Sequence, residues 1–370
     1  MNGVLIEQVT ADLIQIPLRS PVRIAIGDIP NREYNIVTVR TTDGVAGFGY
    51  ARGGEFVHRA ITELIGPMAV GRQVADLDKI WTDVYRSTIQ LGRRGVMLRA
   101  LSALDIAVWD ARCRAADLPL WQMLGGDRPL VPCYASGGYY RDGHGLDELR
   151  AEVESYVEAG FDAVKIKVGA ADVAQDIARV ELVRSIVGPD RAVMVDANTG
   201  FDDRVDDAVR LGRHLDELEV AWFEEPYGPD RLRDLAALRT TLQVPIATGE
   251  QESTRWAFET MLTCRAVDIL QPDVTVVGGI SEWLQVAEIA RTSGLKLAPH
   301  YFAEVHAQLA GAIPETAWIE YFPRYTDIVN FDDVMSTPLR PDGGFIPLPM
   351  SPGVGIELDH EAVKRFKVSS

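Results

Sequence analysis

Residues 146–168 read LDELRAEVESYVEAGFDAVKIKV, and two periodicities meet inside them. Leu146, Leu149, Val153 and Val157 fall three or four apart, which makes one stripe of a helix, and Gly160 supplies its stop. DAVKIKV (162–168) then reads as a short apolar strand. The same order of strand, turn and amphipathic helix runs on from about residue 130. Strands are expected at LVPCYAS (130–136), DAVKIKV (162–168), AVMVDA (192–197) and VAWFEE (220–225). They continue at VPIATGE (244–250), VDILQPD (267–273), LKLAPH (295–300) and TAWIEY (316–321). Eight strands alternating with helices predict a (β/α)8 TIM-type barrel, in the α/β class.

Outward from the barrel the pattern changes on both sides. YNIVTVRTTDGVAGFGYA (34–51) alternates apolar and polar residues about Asp43-Gly44, a β-hairpin signature. Ile80, Trp81, Val84 and Tyr85 fall at helical spacing, as do Leu98, Leu101, Leu104, Ile106 and Trp109. Residues 1–125 are therefore expected to form an α+β domain and 126–322 the barrel. Residues 323–370, rich in Pro, Gly and Asp, read as a tail that replaces the last barrel helix and packs back on the first domain.

Composition narrows the function classes. The 370 residues carry 37 Lys+Arg against 54 Asp+Glu, a formal charge of −17, which disfavours nucleic acid and anionic membrane surfaces. No stretch approaches the ~18 apolar residues of a membrane span. MNGVLIEQVTADL lacks the basic and apolar regions of a signal peptide. Cys113, Cys133 and Cys264 show no CxxC spacing and read as packing residues in a reducing, cytoplasmic setting.

The carboxyl ends of barrel strands form the active face. Here they end in Lys165 and Lys167, Asp196, Glu224, Glu250, Asp273, His300 and Glu320. Burying two lysines side by side is costly, so either both heads reach water or the strand end uses them. Asp196, Glu224 and Glu250 end consecutive strands and would converge. Carboxylates without Cys or His select a hard cation, Mg2+ or Mn2+; the plain alternative is three separate solvated or paired acids.

VKIKVG, VDANTG, WFEEP, VPIATGE, QPDV, APH and WIE, in that order and spacing, resemble the mandelate racemase branch of the enolase superfamily. The resemblance covers nearly the whole chain and makes the N-terminal part a capping domain. It implies Mg2+-assisted abstraction of the proton α to a carboxylate, giving an enediolate. By motif, Asp196, Glu224 and Glu250 would hold the metal. Lys167 would be one acid/base and His300, paired with Asp273, the other on the opposite face. Lys165 and Glu320 would stabilise the enediolate oxygens. The resemblance also implies that such sites tune the pKa of a Lys or His base beside Mg2+. Lys167 must be neutral to act as a base, and repulsion from Lys165 and from the metal is expected to depress its pKa.

Opposed bases allow two outcomes. One is dehydration of a sugar acid to a 2-keto-3-deoxy acid, the main expectation. The other is racemisation of a 2-hydroxy acid such as mandelate. An inactive binding relative would have lost a ligand or a base, and every expected one is present. Muconate cycloisomerases and dipeptide epimerases place a lysine at the sixth strand end, where this chain has QPDVTVVGG. Specificity is expected from SPVRIAIGDIPNREYN (20–35), read as a loop closing over the site, with Val22, Arg23 and Ile26 as candidate substrate contacts. Its apolar residues suit a phenyl group, its polar ones a sugar acid, and simple anchoring of the loop is the plain alternative. Asn198 either bonds a ligand or serves a turn. Arg93 and Arg94 are placed near a distal carboxylate or in solvent. The expected partner is a small carboxylic acid, and the chain is expected to form a homo-oligomer.

Overall fold

The computed structural model describes residues 3–368. The outermost residues of the spans 1–125 and 323–370, namely 1, 2, 369 and 370, lie outside the described residues. An antiparallel sheet comes first, β1 (Ile6–Ile24), β2 (Gly27–Thr41) and β3 (Ala46–Ala51), paired in that order. The expected turn is present, with the Gly44 N–H donating to the Thr41 carbonyl at 2.9 Å.

The reading of residues 20–35 as a loop is corrected. β1 and β2 stay paired up to Ile24 opposite Gly27, so these residues form the end of a long hairpin that turns only at Ala25-Ile26. A bulge between Pro17 and Val22 breaks the register, and this irregularity hides the period-two pattern in the sequence.

The helix Val96–Ala115 lies directly on β3 because Gly47 and Gly49 carry no side chain there. A Cβ on Gly49 would stand 2.2 Å from the Ala103 carbonyl oxygen. The other face of this helix docks on the start of the helix Gly279–Ser293. Ser102 Oγ accepts from the Gly278 N–H at 3.0 Å, and Asp105 Oδ1 accepts from the Ser281 N–H at 3.0 Å. Trp81 adds a bond from Nε1 to the Gly278 carbonyl at 2.7 Å.

The barrel strands are β4 (Leu130–Gly137), β5 (Ala163–Lys167), β6 (Ala192–Asp196), β7 (Trp222–Glu224), β8 (Ile246–Thr248), β9 (Ile269–Leu270), β10 (Lys296–Leu297) and β11 (Ile319–Tyr321). They run parallel in the order β10-β9-β8-β7-β6-β5-β4-β11. A bridge between Leu297 and Thr316 joins β10 to the segment entering β11 and closes the ring. Tyr134, Met194, Trp222, Ala247 and Ala298 fill the interior, and the helices bury Val153, Val180 and Leu211 against the outside.

After β11 the tail makes short 3-10 turns. It then forms β12 (Phe345–Pro347), antiparallel to the start of β4, and the helix His360–Phe366. It ends on β1, where the Val368 N–H donates to the Leu13 carbonyl at 2.9 Å. Among the described residues no helix is long and apolar enough to cross a membrane.

Candidate active site

Parallel register sets the charged residues side by side at the strand ends. Lys167 on β5 is level with Asp196 on β6, and Asp196 with Glu224 on β7. Asp196, Glu224 and Glu250 each offer an oxygen, and these atoms all lie within 4.8 Å of one another. The donor set is entirely carboxylate, and Glu250 Oε2 is a buried oxygen without a partner. Such a set fits a hard, oxygen-seeking divalent cation such as Mg2+.

Each end of this acidic row meets a basic group. Lys167 Nζ lies against Asp196 Oδ2, and its ammonium stands 4.9 Å from the centroid of the Tyr139 ring. At the other end His300 Nε2 is 3.5 Å from Glu250 Oε1. Asp273 Oδ2 accepts from His300 Nδ1 at 2.9 Å, while Asp273 Oδ1 accepts from the Thr275 N–H and hydroxyl. That fixes the imidazole with Nε2 toward the acids.

Lys165 is 1% exposed and fully paired. Its ammonium donates to Glu224 Oε1 at 2.7 Å and Oε2 at 2.9 Å, and lies 2.8 Å from Glu320 Oε1. Glu320 also accepts from the Ser136 hydroxyl at 2.7 Å and the Tyr301 N–H at 2.8 Å. Asn198 stands beside the row, with its N–H donating to Asp196 Oδ1 at 2.8 Å.

The electrostatics follow from this pairing. Burial favours the neutral form of Glu320, but Lys165 and then His300 outweigh it and hold the carboxyl down at about 2. Burial likewise lowers His300, yet Glu250 and Asp273 raise it to about 9. Burial and the neighbouring Asp196 raise Glu224, and burial with Glu225 raises Glu250 well above the usual range. Of the two charges expected to depress Lys167, Lys165 does not prevail by itself, and the pKa is raised. Burial does press it down, but the Asp196 carboxylate directly against it outweighs both burial and Lys165, whose charge is already taken up by Glu224 and Glu320.

The other candidates have their own surroundings. Val22 packs with Leu18 and Ile328. Arg23 exchanges backbone hydrogen bonds with Tyr140 and sets its half-exposed side chain 3.8 Å from Asp142. Ile26, at the hairpin tip, is 65% exposed. Arg94 pairs with Asp230 and Glu252, at 3.3 Å each. The cluster that holds Val22 includes Tyr139, whose ring faces the Lys167 ammonium. The tip does come down on the site's rim: Ala25 Cβ is 2.8 Å from where a Cβ on Gly200 would stand.

Several site residues escaped sequence reasoning. Gln271 and Trp222 donate to Glu224 Oε2, at 2.7 and 2.9 Å. Glu225, held by Gln251, is pushed up to about 8 by burial and by Asp196. Tyr301 follows His300. Asn198, Glu225 and Tyr301 all have positive φ, 41°, 40° and 64°, just past their strand ends, so backbone strain collects here. Only the second acid of WFEEP gave a hint in the sequence.

Comparison with known proteins adds independent findings. The model of the mandelate racemase / muconate lactonizing enzyme N-terminal domain matches residues 7–125. The enolase C-terminal domain-like model matches residues 148–363. Arabinonate dehydratase of Saccharolobus solfataricus is 33% identical over 342 residues, covering 90% of each chain. L-talarate/galactarate dehydratase of Salmonella typhimurium is 35% identical over 340 residues, 89% of this chain and 84% of that one. Among solved structures, L-talarate dehydratase from a Polaromonas species, complexed with Mg and L-glucarate, superposes with a TM-score of 0.90. It is 30% identical and covers 99% of this chain and 98% of its own.

Proposed function

The chain belongs to the mandelate racemase / muconate lactonizing enzyme family of the enolase superfamily, and from that premise we propose that it removes the proton α to a carboxylate and dehydrates a sugar acid, an aldonate or aldarate, to a 2-keto-3-deoxy acid. The carrying observation is the flanking of the acidic row by Lys167 at its Asp196 end and His300 at its Glu250 end. A divalent cation held by Asp196, Glu224 and Glu250 would supply positive charge to the substrate carboxylate and its enediolate and would draw Asp196 away from Lys167.

Lys167, as the amine, takes the α-proton. His300, steadied by Asp273, gives the Nε2 proton to the hydroxyl leaving the adjacent carbon. That C–O bond breaks, water departs, and the resulting enol tautomerises to the ketone. Lys165, held in place by Glu320, keeps its ammonium where the carboxylate oxygens become negative. A positioned base supplies roughly 10²–10⁴-fold and a preorganised donor about 3–4 kcal/mol, so several such groups acting together meet the demand of a weak carbon acid.

The same opposed pair favours a second reading, racemisation of a 2-hydroxy acid such as mandelate, in which both groups exchange the α-proton. The partner is a small carboxylic acid, and a homo-oligomer in the cytoplasm completes the proposal. A screen of C4 to C6 aldonic and aldaric acids plus mandelate, with Mg2+, tests it. Release of 2-keto acid is expected. Loss of optical rotation without ketone would select the racemase, and neither change on any acid would overturn the reading.

A further inference from the structure

Two arginines lie against the ring of Tyr301, the residue after His300, and a third lies beside one of them, all without an ion pair among the described residues. Tyr301 carries the contact, its ring centroid 5.4 Å from that of the imidazole. The guanidinium carbon of Arg52, one residue past β3, lies 5.2 Å from the Tyr301 ring centroid, and that of Arg32, on β2, lies 5.8 Å away. Arg99, on the helix Val96–Ala115, sets its Cδ 3.6 Å from where a Cβ on Gly53, the residue after Arg52, would stand, and the charges of Arg99 and Arg52 oppose each other.

Among the described residues the side chains of Arg52 and Arg99 make no hydrogen bond and no ion pair. Arg32 is 2% exposed; its Nε donates to the Ile328 carbonyl at 2.9 Å, but its buried Nη2 has no partner. The Tyr301 hydroxyl beside it is also buried without one.

Other arginines at the edge of the interior do have carboxylate partners. Arg114 meets Asp110 at 2.6 Å and Arg255 meets Glu282 at 2.6 Å. Leaving a buried guanidinium donor such as Arg32 Nη2 unpaired is costly unless an anion joins it. A guanidinium fork binds a carboxylate through two parallel hydrogen bonds.

We infer that Arg52, Arg99 and the free Nη2 of Arg32 receive a second carboxylate, at the substrate end remote from the reacting carbon, and that the substrate is therefore a sugar diacid. This deepens the dehydratase reading and rests on it. A phosphate would engage the same donors, and a phosphorylated acid therefore stands as a separate arm of the test.

The test compares acids that differ only at C6, galactarate with galactonate and glucarate with gluconate, with 6-phosphogluconate as a phosphate arm, on the Mg2+-loaded enzyme. The diacid is expected to exceed its monoacid partner in kcat/KM by about 100-fold, and R52Q and R99Q should each cut the diacid's kcat/KM by about 10- to 100-fold, mostly through KM. R52K should recover part of the loss, and the diacid-to-monoacid ratio should collapse in the Gln variants. Preference for monoacid or phosphorylated acid, or a proportional fall for both partners, would overturn the inference. Circular dichroism and Tm confirm that the variants fold. If no acid is turned over, the dehydratase reading fails, and ligand-induced Tm shifts decide the receptor separately. A larger shift with the diacid, lost in R52Q and R99Q, supports it, and equal shifts overturn it.

Discussion

Lys165 and Lys167 lie two apart on one strand and have different partners, which is what their spacing alone did not reveal. Lys165 is clamped between Glu224 and Glu320, and Lys167 is held by Asp196. Removing the first charge strands two buried carboxylates side by side. K165M should therefore lower stability by about 3–5 kcal/mol, the cost of breaking a buried pair, in urea melts of the metal-free protein. A loss under about 1 kcal/mol would mean that the acids find other partners. The residue types at the strand ends were legible because each closes a short apolar strand. The raised pKa of Lys167 was not, because it depends on the register that sets Asp196 beside it. Arg99 and Tyr301 gave no signal either: one reads as the polar side of a helix, the other as one more aromatic.

Elements show the same division. The βα units were legible from their periods, although hydrogen-bonded pairing in β9 and β10 spans only two residues each, short of the apolar runs that marked them. The hairpin end was missed because its bulge interrupts the alternation, and β12 because three residues among Pro and Gly carry no pattern. Contact between β3 and the helix Val96–Ala115 turns on Gly47 and Gly49, two apart and so on one face. An added methyl at Gly49 meets backbone, which cannot rotate away: 2.2 Å to the Ala103 oxygen and 2.6 Å to the Ala107 nitrogen. G49A should cost about 1–3 kcal/mol or more by overpacking, seen as a lower Tm. An unchanged Tm would show that the helix lifts freely. Because that helix also carries Arg99, the diacid's KM should rise with it.

Taken whole, the molecule is an antiparallel sheet and its helices set on a barrel, with a tail binding one to the other. One joint is Asp105, fully buried and bonded to the Ser281 N–H at the start of a barrel helix. Burial raises its pKa to about 7, with the Ser281 hydrogen bonds only partly offsetting it. The folded value lies above the unfolded one, near 3.9, so the favourable contribution is full below about pH 4 and is lost as pH rises through 7. At about 1.36 kcal/mol per pKa unit the loss is about 4 kcal/mol. D105N should abolish that decline, so its stability relative to wild type should improve between pH 4.5 and 8 in urea titrations. A pH-independent difference would rule this out. The central claim, that an amine and an imidazole straddle a carboxylate-bound cation to work on an α-proton, is tested most directly by exchange of that proton into D2O with Mg2+. Wild type should exchange the α-proton of a turned-over sugar acid, K167M should lose exchange by about 10²–10⁴-fold, and H300N should exchange without releasing ketone. Exchange at the wild-type rate in K167M, or exchange that survives removal of the metal, would contradict the account.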